Sequence, residues 1–306
     1  MNNRPHVSIG LPVYNGEKYL KQALLSILSQ SYTDFELIIS DNASTDRTQA
    51  ICQAYAAKDP RIRYYFNEKN LGAAPNHNRV FELASGEYFK WAGYDDIITA
   101  DFLQRCVEVL DLKPEVVLCM PKTSFIDEHG NYIGDQPIKI DISLTSPHER
   151  FGNLVQKLEV GDFIYGLMRS DAIRKTSLHG SYPSADLVFE TELALYGQFY
   201  IIPESLFFRR KHSEQSIKGK YAIERNRVAW FDTSLESKIT LPKWLYLSGY
   251  LRAIRNAPLT RRQRLFCYLQ MVRWVLKPAH FRALGKDILL ALNKIVLQKF
   301  QIHHKR

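Results

Sequence analysis

The sequence predicts an α/β fold, a mostly parallel Rossmann-like sheet flanked by helices and followed by a basic C-terminal helical extension. Three observations predict it. Apolar, β-rich runs of about six residues alternate with amphipathic stretches of about ten or more, the pattern of βαβ units with right-handed crossovers. The stretch Gly86–Asp96 runs through Tyr88, Phe89 and Trp91 as a buried strand would, breaks at Gly93 and ends on adjacent carboxylates, Asp95 and Asp96. In an open parallel sheet, ligands bind just beyond such strand ends. After Ser216 the alternation gives way to long helical patterns dense in Lys and Arg.

Val7–Pro12 is the first strand, stopped by Pro12. Leu20, Leu24, Ile27 and Leu28 fall at helical spacing within Glu17–Gln30. Phe35–Asp41 is the second strand. Ser44 or Thr45 caps the next helix, with Asp46 in its first turn and its end near Ala57. Arg61–Phe66 is the third strand, Asn70–Gly72 a turn and Ala73–Ala84 the third helix. The strand leading into Asp95 and Asp96 is the fourth. Phe102–Leu110 is helical, and Glu115–Met120 is the fifth strand. Ser124–Asp135 reads as a hairpin turning at Glu128–Asn131. Beyond residue 140 the pattern is irregular. A helix covers His148–Leu158, a strand Phe163–Met168, a helix Asp186–Tyr196 and a last strand Tyr200–Arg209. No internal repeat or low-complexity tract interrupts the chain.

The totals narrow the function classes. The 306 residues are 45% hydrophobic and 12% aromatic, enough for a sizeable core. The cysteines Cys52, Cys106, Cys119 and Cys267 are scattered, without a CxxC or a neighbouring His cluster. That argues against a zinc site or a disulfide framework and fits a reducing cytosol. Met1–His6 is polar and runs straight into a strand, so no signal peptide is expected. No run of roughly 18 residues lacks charge, so no transmembrane helix is expected.

The net charge of +9 is unevenly placed: residues 1–208 carry 19 Lys and Arg against 27 Asp and Glu, whereas residues 209–306 carry 22 against 5. In the basic part, Leu241–Tyr250, Arg261–Leu276 and Lys286–Ile302 read as helices with wide apolar faces. Trp244, Tyr246, Phe266, Tyr268 and Trp274 accompany Arg261, Arg262, Arg264 and Arg273. Residues 241–306 therefore either lie on an anionic membrane surface or cap the core with their cations in water. The first reading implies a cytoplasmic protein held peripherally on the inner face of the cell membrane. No nucleic-acid-reading module accompanies the charge, so nucleic acid is not an expected partner.

Two adjacent acids at a strand exit cannot both be buried and charged without a positive partner. A hard divalent cation that also holds a diphosphate would supply one, and a solvated turn is the plain alternative. Other segments decide between them. Pro12–Glu17, Ile39–Asp46, Asn70–Gly72, Asn78, Ala84–Tyr88 and Asp95–Asp96 follow in an order and spacing that resemble the nucleotide-sugar-binding half of the family 2 glycosyltransferases, which have the GT-A fold. The resemblance covers residues 6–130 strongly and 160–216 more loosely.

It implies an inverting, metal-dependent enzyme. A sugar would move from a nucleoside-diphosphate sugar, UDP or dTDP, to a hydroxyl of a glycan or lipid-linked acceptor in cell-surface polysaccharide biosynthesis. It also implies a GT-A domain over 1–216, with 1–130 on the nucleotide-sugar side and 131–216 on the acceptor side, followed by the extension over 217–306. Two alternatives stand beside it. A nucleotidyltransferase shares the layered fold but begins with a Gly-rich phosphate loop, which residues 9–21 lack. A non-catalytic sugar-nucleotide or glycan-binding module would explain Gly93 and Ala185, which stand where acids are common.

The resemblance also implies roles. Pro12, Tyr14, Asn15 and Glu17 border the base and ribose, with the Tyr14 ring placed to stack. Asp41 accepts a hydrogen bond from a base imide N–H, which selects uracil or thymine. Asn70 and Asn78 lie on the nucleotide side. Asp95 reaches the ribose hydroxyls or the metal, and Asp96 the metal, Mg²⁺ or Mn²⁺. Phe208–Ser216 resembles the family's Arg-x-His segment. There Arg209 clamps the diphosphate, and His212 is a third metal ligand, a phosphate donor or a structural residue. Asp186, eleven positions before Gly197, is the general base or else merely caps its helix. Glu190 and Glu192 are its rivals. Gly93 replaces a further Asp of many relatives, so fewer protein ligands are expected. His77 replaces an Arg, as an imidazole contact or as an ordinary surface histidine.

Overall fold

In the computed structural model, residues 4–213, 230–236 and 238–303 are described. The first half is built on parallel strands β1 (Val7–Val13), β2 (Phe35–Asp41) and β3 (Ile62–Phe66), joined by helices α1 (Leu20–Leu28) and α2 (Thr48–Ala56). Every residue of β1 and β2 is buried, as continuous apolar runs covered on both faces require. Helix α3 (Ala73–Glu82) returns the chain to β4 (Tyr88–Trp91), parallel to β1 on the side away from β2.

Pro12 does not stop β1, contrary to the reading from sequence; it pairs in register with Ser40. Backbone groups two residues apart in a strand face the same side. Gly10 O accepts from Ala92 N (2.8 Å), so the missing N–H of Pro12 faces the side on which β4 has already ended.

The second half adds β5 (Ile97–Ile98), α4 (Phe102–Leu112), β6 (Val116–Ile126), β7 (Tyr132–Asp135), α5 (Pro147–Lys157), β8 (Leu167–Arg169), α6 (Ser170–Ile173), α7 (Ala185–Leu193) and β9 (Gln198–Arg210). All nine strands form one sheet, ordered β3-β2-β1-β4-β8-β6-β9-β5, with β7 paired to β6. Only β5, β7 and β8 run antiparallel to their neighbours. The expected fifth strand and the first arm of the hairpin are one element, β6. The strand expected over Phe163–Met168 divides into a 3₁₀ turn, Phe163–Tyr165, and β8. Gly166 makes the division: a Cβ there would sit 2.8 Å from Cys119 O.

A buried carboxylate fixes the far end of the sheet. Glu36 accepts from Ser8 Oγ (2.6 Å), Ser85 N (2.9 Å) and Ser85 Oγ (2.7 Å), and pairs with Arg63 Nη1 (2.6 Å). Burial works to raise its pKa, but these bonds outweigh burial and hold the carboxyl below its ordinary range.

The C-terminal helices α8 (Pro242–Asn256), α9 (Arg261–Leu276) and α10 (Pro278–His303) do pack on the body, through one face. Tyr250, Ala253 and Ile254 of α8 and Met271 and Trp274 of α9 form a second core with Phe151 of α5 and Val188 of α7. Burying side chains such as Phe151, Ile254 and Met271 contributes about 1.5–3 kcal/mol each, which holds the extension against α7. Thr260 and Gln263 close a capping box at the start of α9. Trp244 Nε1 donates to Leu284 O (3.1 Å), joining α8 to α10. Leu265, Leu269, Val272 and Leu276 of α9 and Phe281, Ile288 and Leu292 of α10 stay exposed. Among the described residues, no helix is long and apolar enough to cross a membrane.

Candidate active site

Strands β1, β2 and β4 end on one edge of the sheet, and the loops that follow are laced together. Asn15 N donates to Ser44 Oγ (2.9 Å), Asn15 Oδ1 accepts from Thr45 N (2.8 Å), and Gly16 N donates to Thr48 Oγ1 (2.8 Å). Asn15 reaches this position at φ 50°, a left-handed conformation that Asn tolerates. Glu17 Oε2 accepts from Arg47 N (2.9 Å), and that backbone bond, with the Arg47 guanidinium, lowers the Glu17 pKa. Asn15 and Glu17 thus fasten the two loops to each other. Pro12 is buried within β1, while Tyr14 is 38% exposed. Neither Ser44 nor Thr45 caps α2. Asp46 Oδ1 accepts from Thr48 N (2.9 Å) instead.

Asp41 is fully buried at the end of β2. Its Oδ1 accepts from Ser44 N (2.9 Å) and its Oδ2 from the Tyr64 hydroxyl (3.0 Å). Burial, then the Asp41 charge, pushes the Tyr64 hydroxyl up, so it stays a donor. Asn42 ties this strand end to the next loop: its Nδ2 donates to Asn70 Oδ1 (2.9 Å), and its Oδ1 accepts from Leu71 N (2.9 Å). The Asn70 amide oxygen is therefore engaged within the loop. Asn78 clips α3 to the segment before α7: Oδ1 accepts from His179 N and Nδ2 donates to His179 O, both at 3.0 Å. His77 is half-buried on α3. Its Nδ1 lies 2.8 Å from Ala73 O, its ring packs 5.4 Å from that of His179, and burial lowers its pKa.

The acid pair sits past β4. Asp95 Oδ2 lies 2.9 Å from His212 Nε2, and the buried Asp96 accepts from Arg210 N (3.0 Å). Arg210 belongs to the same Phe208–Ser216 segment. It is wholly buried and donates from Nε to Asp95 O (2.9 Å) and from Nη2 to Gln22 Oε1 (2.6 Å). Arg209 pairs with Asp162. Successive side chains of a strand take opposite faces, so Arg209 meets Asp162 while Arg210 reaches the Asp95 carbonyl. Burial, then the Asp95 charge, pushes Asp96 up to about 8. A Cβ at Gly93 would sit 2.6 Å from Asp96 Oδ2 and 3.1 Å from Asp95 Oδ1, so a third acid has no room there.

Asp95, Asp96 and His212 offer two carboxylates and an imidazole, a donor set that suits Mg²⁺ or Mn²⁺. Among the described residues, no group of three or more His, Cys, Asp or Glu is arranged to hold an ion by itself. Phosphate and water oxygens would have to complete the shell. Lys90, read from sequence as part of an apolar strand, is buried nearby. It donates to Trp91 O (3.3 Å) and to Tyr165 O, and burial pulls it down to about 8.

Asp186 lies in the first turn of α7, its Oδ1 accepting from Leu187 N (3.0 Å). Burial pushes it up to about 6. The charges of Asp162 and Arg209 both bear on it, and both also bear on Asp96. The acid pair and Asp186 thus belong to one electrostatic cluster. Glu190 is fully buried, its Oε1 accepting from Ile164 N (2.9 Å), and burial, then the Asp186 charge, raises its pKa far above the ordinary value. Glu192 accepts from Ser177 N (2.9 Å). Gly161 faces Asp186 so closely that a Cβ there would sit 2.4 Å from Asp186 Oδ2. Gly197 answers to packing: its Cβ would meet Val117 Cγ1 at 2.2 Å.

Residues 8–176, more than half the chain, match the family described as glycosyl transferase family 2. The chain is 38% identical over 109 residues to the putative teichuronic acid biosynthesis glycosyltransferase TuaG of Bacillus subtilis, covering 36% of this chain and 43% of that protein. It spans about half, or less, of the curated relatives it matches. S. aureus TarS 1-349 in complex with UDP-GlcNAc superposes with a TM-score of 0.67 at 18% identity, covering 92% of this chain and 80% of that one. The mannosyltransferase PcManGT from Pyrobaculum calidifontis in complex with GDP-Man and Mn²⁺ superposes with a TM-score of 0.55 at 18% identity, covering 96% of this chain and 76% of that one. At such identities these likenesses speak to the fold, and the fold is GT-A. By its matched segments and its architecture, the chain belongs to glycosyl transferase family 2.

Proposed function

We propose that the protein is an inverting, metal-assisted glycosyltransferase that moves a sugar from a UDP-type donor to a hydroxyl of a glycan or lipid-linked acceptor. One observation carries the reading. Asp186 shares its electrostatic surroundings, through Asp162 and Arg209, with the acid pair Asp95 and Asp96. A pKa of about 6 leaves Asp186 ionised at neutral pH and basic enough to take the acceptor proton. The acceptor oxygen would attack the anomeric carbon from the side opposite the departing diphosphate. Tyr14 would stack on the base. Asp95, Asp96 and His212 would hold Mg²⁺ or Mn²⁺, which when bound neutralises the diphosphate. UDP-GlcNAc on TarS and Mn²⁺ on PcManGT support the donor and metal assignments.

TuaG's role in teichuronic acid synthesis supports a cell-surface polysaccharide as the destination. The exposed apolar stripe of α9, beside Arg262 and Arg273, supports peripheral binding to an anionic membrane. The test is donor hydrolysis by the purified protein, without acceptor. We expect hydrolysis with Mn²⁺, abolished by EDTA and by Asp96→Ala. Binding of nucleotide sugars with no turnover under any metal would make the chain a binding module instead.

A further inference from the structure

We infer that the acceptor is an anionic amphiphile whose aliphatic chain lies in a cavity beside Asp162. The inference rests on the glycosyltransferase reading and names the acceptor's chemical class. The cavity has a volume of about 420 Å³, and its walls include Met120, Phe125, Ile138, Ile140, Leu158 and Val160. Walls with so much exposed carbon suit a hydrocarbon chain. Ile138 and Val160 are 50% and 42% exposed, an apolar surface that the protein's own packing leaves uncovered.

Charged groups also line the cavity. Asp162 and Arg209 belong to the cavity wall, and the same two bear on Asp186. Asp162 is 4% exposed, with Arg209 and the Gln136 side chain beside it, and its Oδ2 has no partner at full hydrogen-bond geometry among the described residues. A buried carboxylate oxygen left unpaired is an acceptor waiting for a donor, and a substrate hydroxyl is one. Lys211 also lines the cavity and its charge acts on Asp162. Lys122 and Lys139 are paired with Asp135 and Glu159, whereas Lys211 forms no ion pair among the described residues; its Nζ rests 3.4 Å from the centre of the Phe125 ring. The lining thus offers an acceptor at Asp162 for a hydroxyl, a cation at Lys211 for an anionic group and apolar walls for a hydrocarbon chain. Lipid-phosphate acceptors have that set of groups.

The test is calorimetric binding of decyl phosphate, below its micelle concentration, to the full chain with Mn²⁺ and UDP. Inorganic phosphate and octyl glucoside serve as the head-only and uncharged probes. We expect one saturable decyl phosphate site, at least about tenfold tighter than inorganic phosphate. Ile138→Glu and Val160→Glu, both at exposed positions, should each weaken decyl phosphate by about tenfold or more, because a charge there must be buried by the chain. Both should leave UDP affinity and the melting temperature unchanged. Lys211→Gln should weaken decyl phosphate and spare octyl glucoside. Decyl phosphate binding no tighter than that of inorganic phosphate, or insensitive to Ile138→Glu and Val160→Glu while UDP still binds, would overturn the inference and leave the donor reading intact. Failure of the wild-type protein to bind UDP with Mn²⁺ would overturn the donor reading itself.

Discussion

His212 Nε2 lies 2.9 Å from Asp95 Oδ2, although 117 residues of chain separate them. The pair joins the end of β4 to the segment after β9, so a cation held there would bind the two halves of the domain together. Asp95→Asn and His212→Ala should each weaken Mn²⁺-dependent UDP binding by about 10–100-fold, the range for removing a group that holds or orients a metal. Titration calorimetry with and without EDTA reads this. Equal UDP affinity in both conditions for the wild-type protein would remove the metal from the account.

Asp186→Asn should lower kcat by about 10²–10⁴-fold with little change in donor affinity. The wild-type rate should follow the ionised fraction of Asp186. Burial raises its pKa to about 6, so kcat should fall as pH drops through about 6 and level off above about 7. A retained rate in Asp186→Asn would return the role to another group.

Gly161→Ala places a methyl carbon 2.4 Å from Asp186 Oδ2, so the carboxyl must turn away. We expect kcat to fall by about tenfold or more while the donor KM holds, because a small misplacement of a reacting group is costly. A proportional rise in donor KM would mean that Gly161 serves the nucleotide side.

Glu36→Ala strands Arg63, Ser8 and Ser85 around an empty buried site. The cost should be about 1–3 kcal/mol by urea unfolding at pH 7, the range for leaving buried donors unpaired, because Arg63 is 40% exposed and rehydrates. The folded-state pKa of Glu36 lies below its unfolded value, so its contribution is present above the unfolded pKa and disappears as pH falls through the folded one. The gap between variant and wild type should therefore narrow under acid. A gap that stays constant from pH 7 down through the acid range would place the effect in packing instead of charge.

Leu269 and Val272 are 52% and 53% exposed on α9. The protein should sediment with phosphatidylglycerol vesicles and not with phosphatidylcholine, and added salt should weaken the binding. Leu269→Glu with Val272→Glu should abolish it without changing the melting temperature. Sedimentation unaffected by that double substitution would move the contact elsewhere.

Much of the fold was legible because its signals are local. The runs of β1 and β2 are mostly apolar and wholly buried, the helices between the strands have helical spacing, and Gly93 breaks the chain before the acids. Boundaries slipped where a local cue was outvoted. Pro12 looks like a stop until β4 is seen to end beside it. Phe163–Met168 looks like one strand until Gly166 is seen pressed on Cys119. The site was less legible. Arg209 and Arg210 are equivalent in the sequence, and only the face each takes on β9 puts Arg210 on the Asp95 carbonyl and Arg209 on Asp162. Lys90 reads as part of an apolar strand and Glu190 as a rival to Asp186, and only the fold shows that both are buried. Asp162, with its unpaired oxygen, carried no pattern at all.

By itself the sequence determined the alternating α/β plan, the position of Asp95 and Asp96 at a strand exit and the charge contrast between body and tail. Each follows from residue order over a few turns or strands. The tertiary structure alone decided that Asn15 and Glu17 lace two loops, that Asn78 clips α3 to the segment before α7, that His212 meets Asp95 and that one face of the basic helices is core while the other is bare. Those are choices of partner between residues distant in the chain. Periodicity fixes which face of an element is apolar, but which surface that face meets is settled only when the whole chain packs.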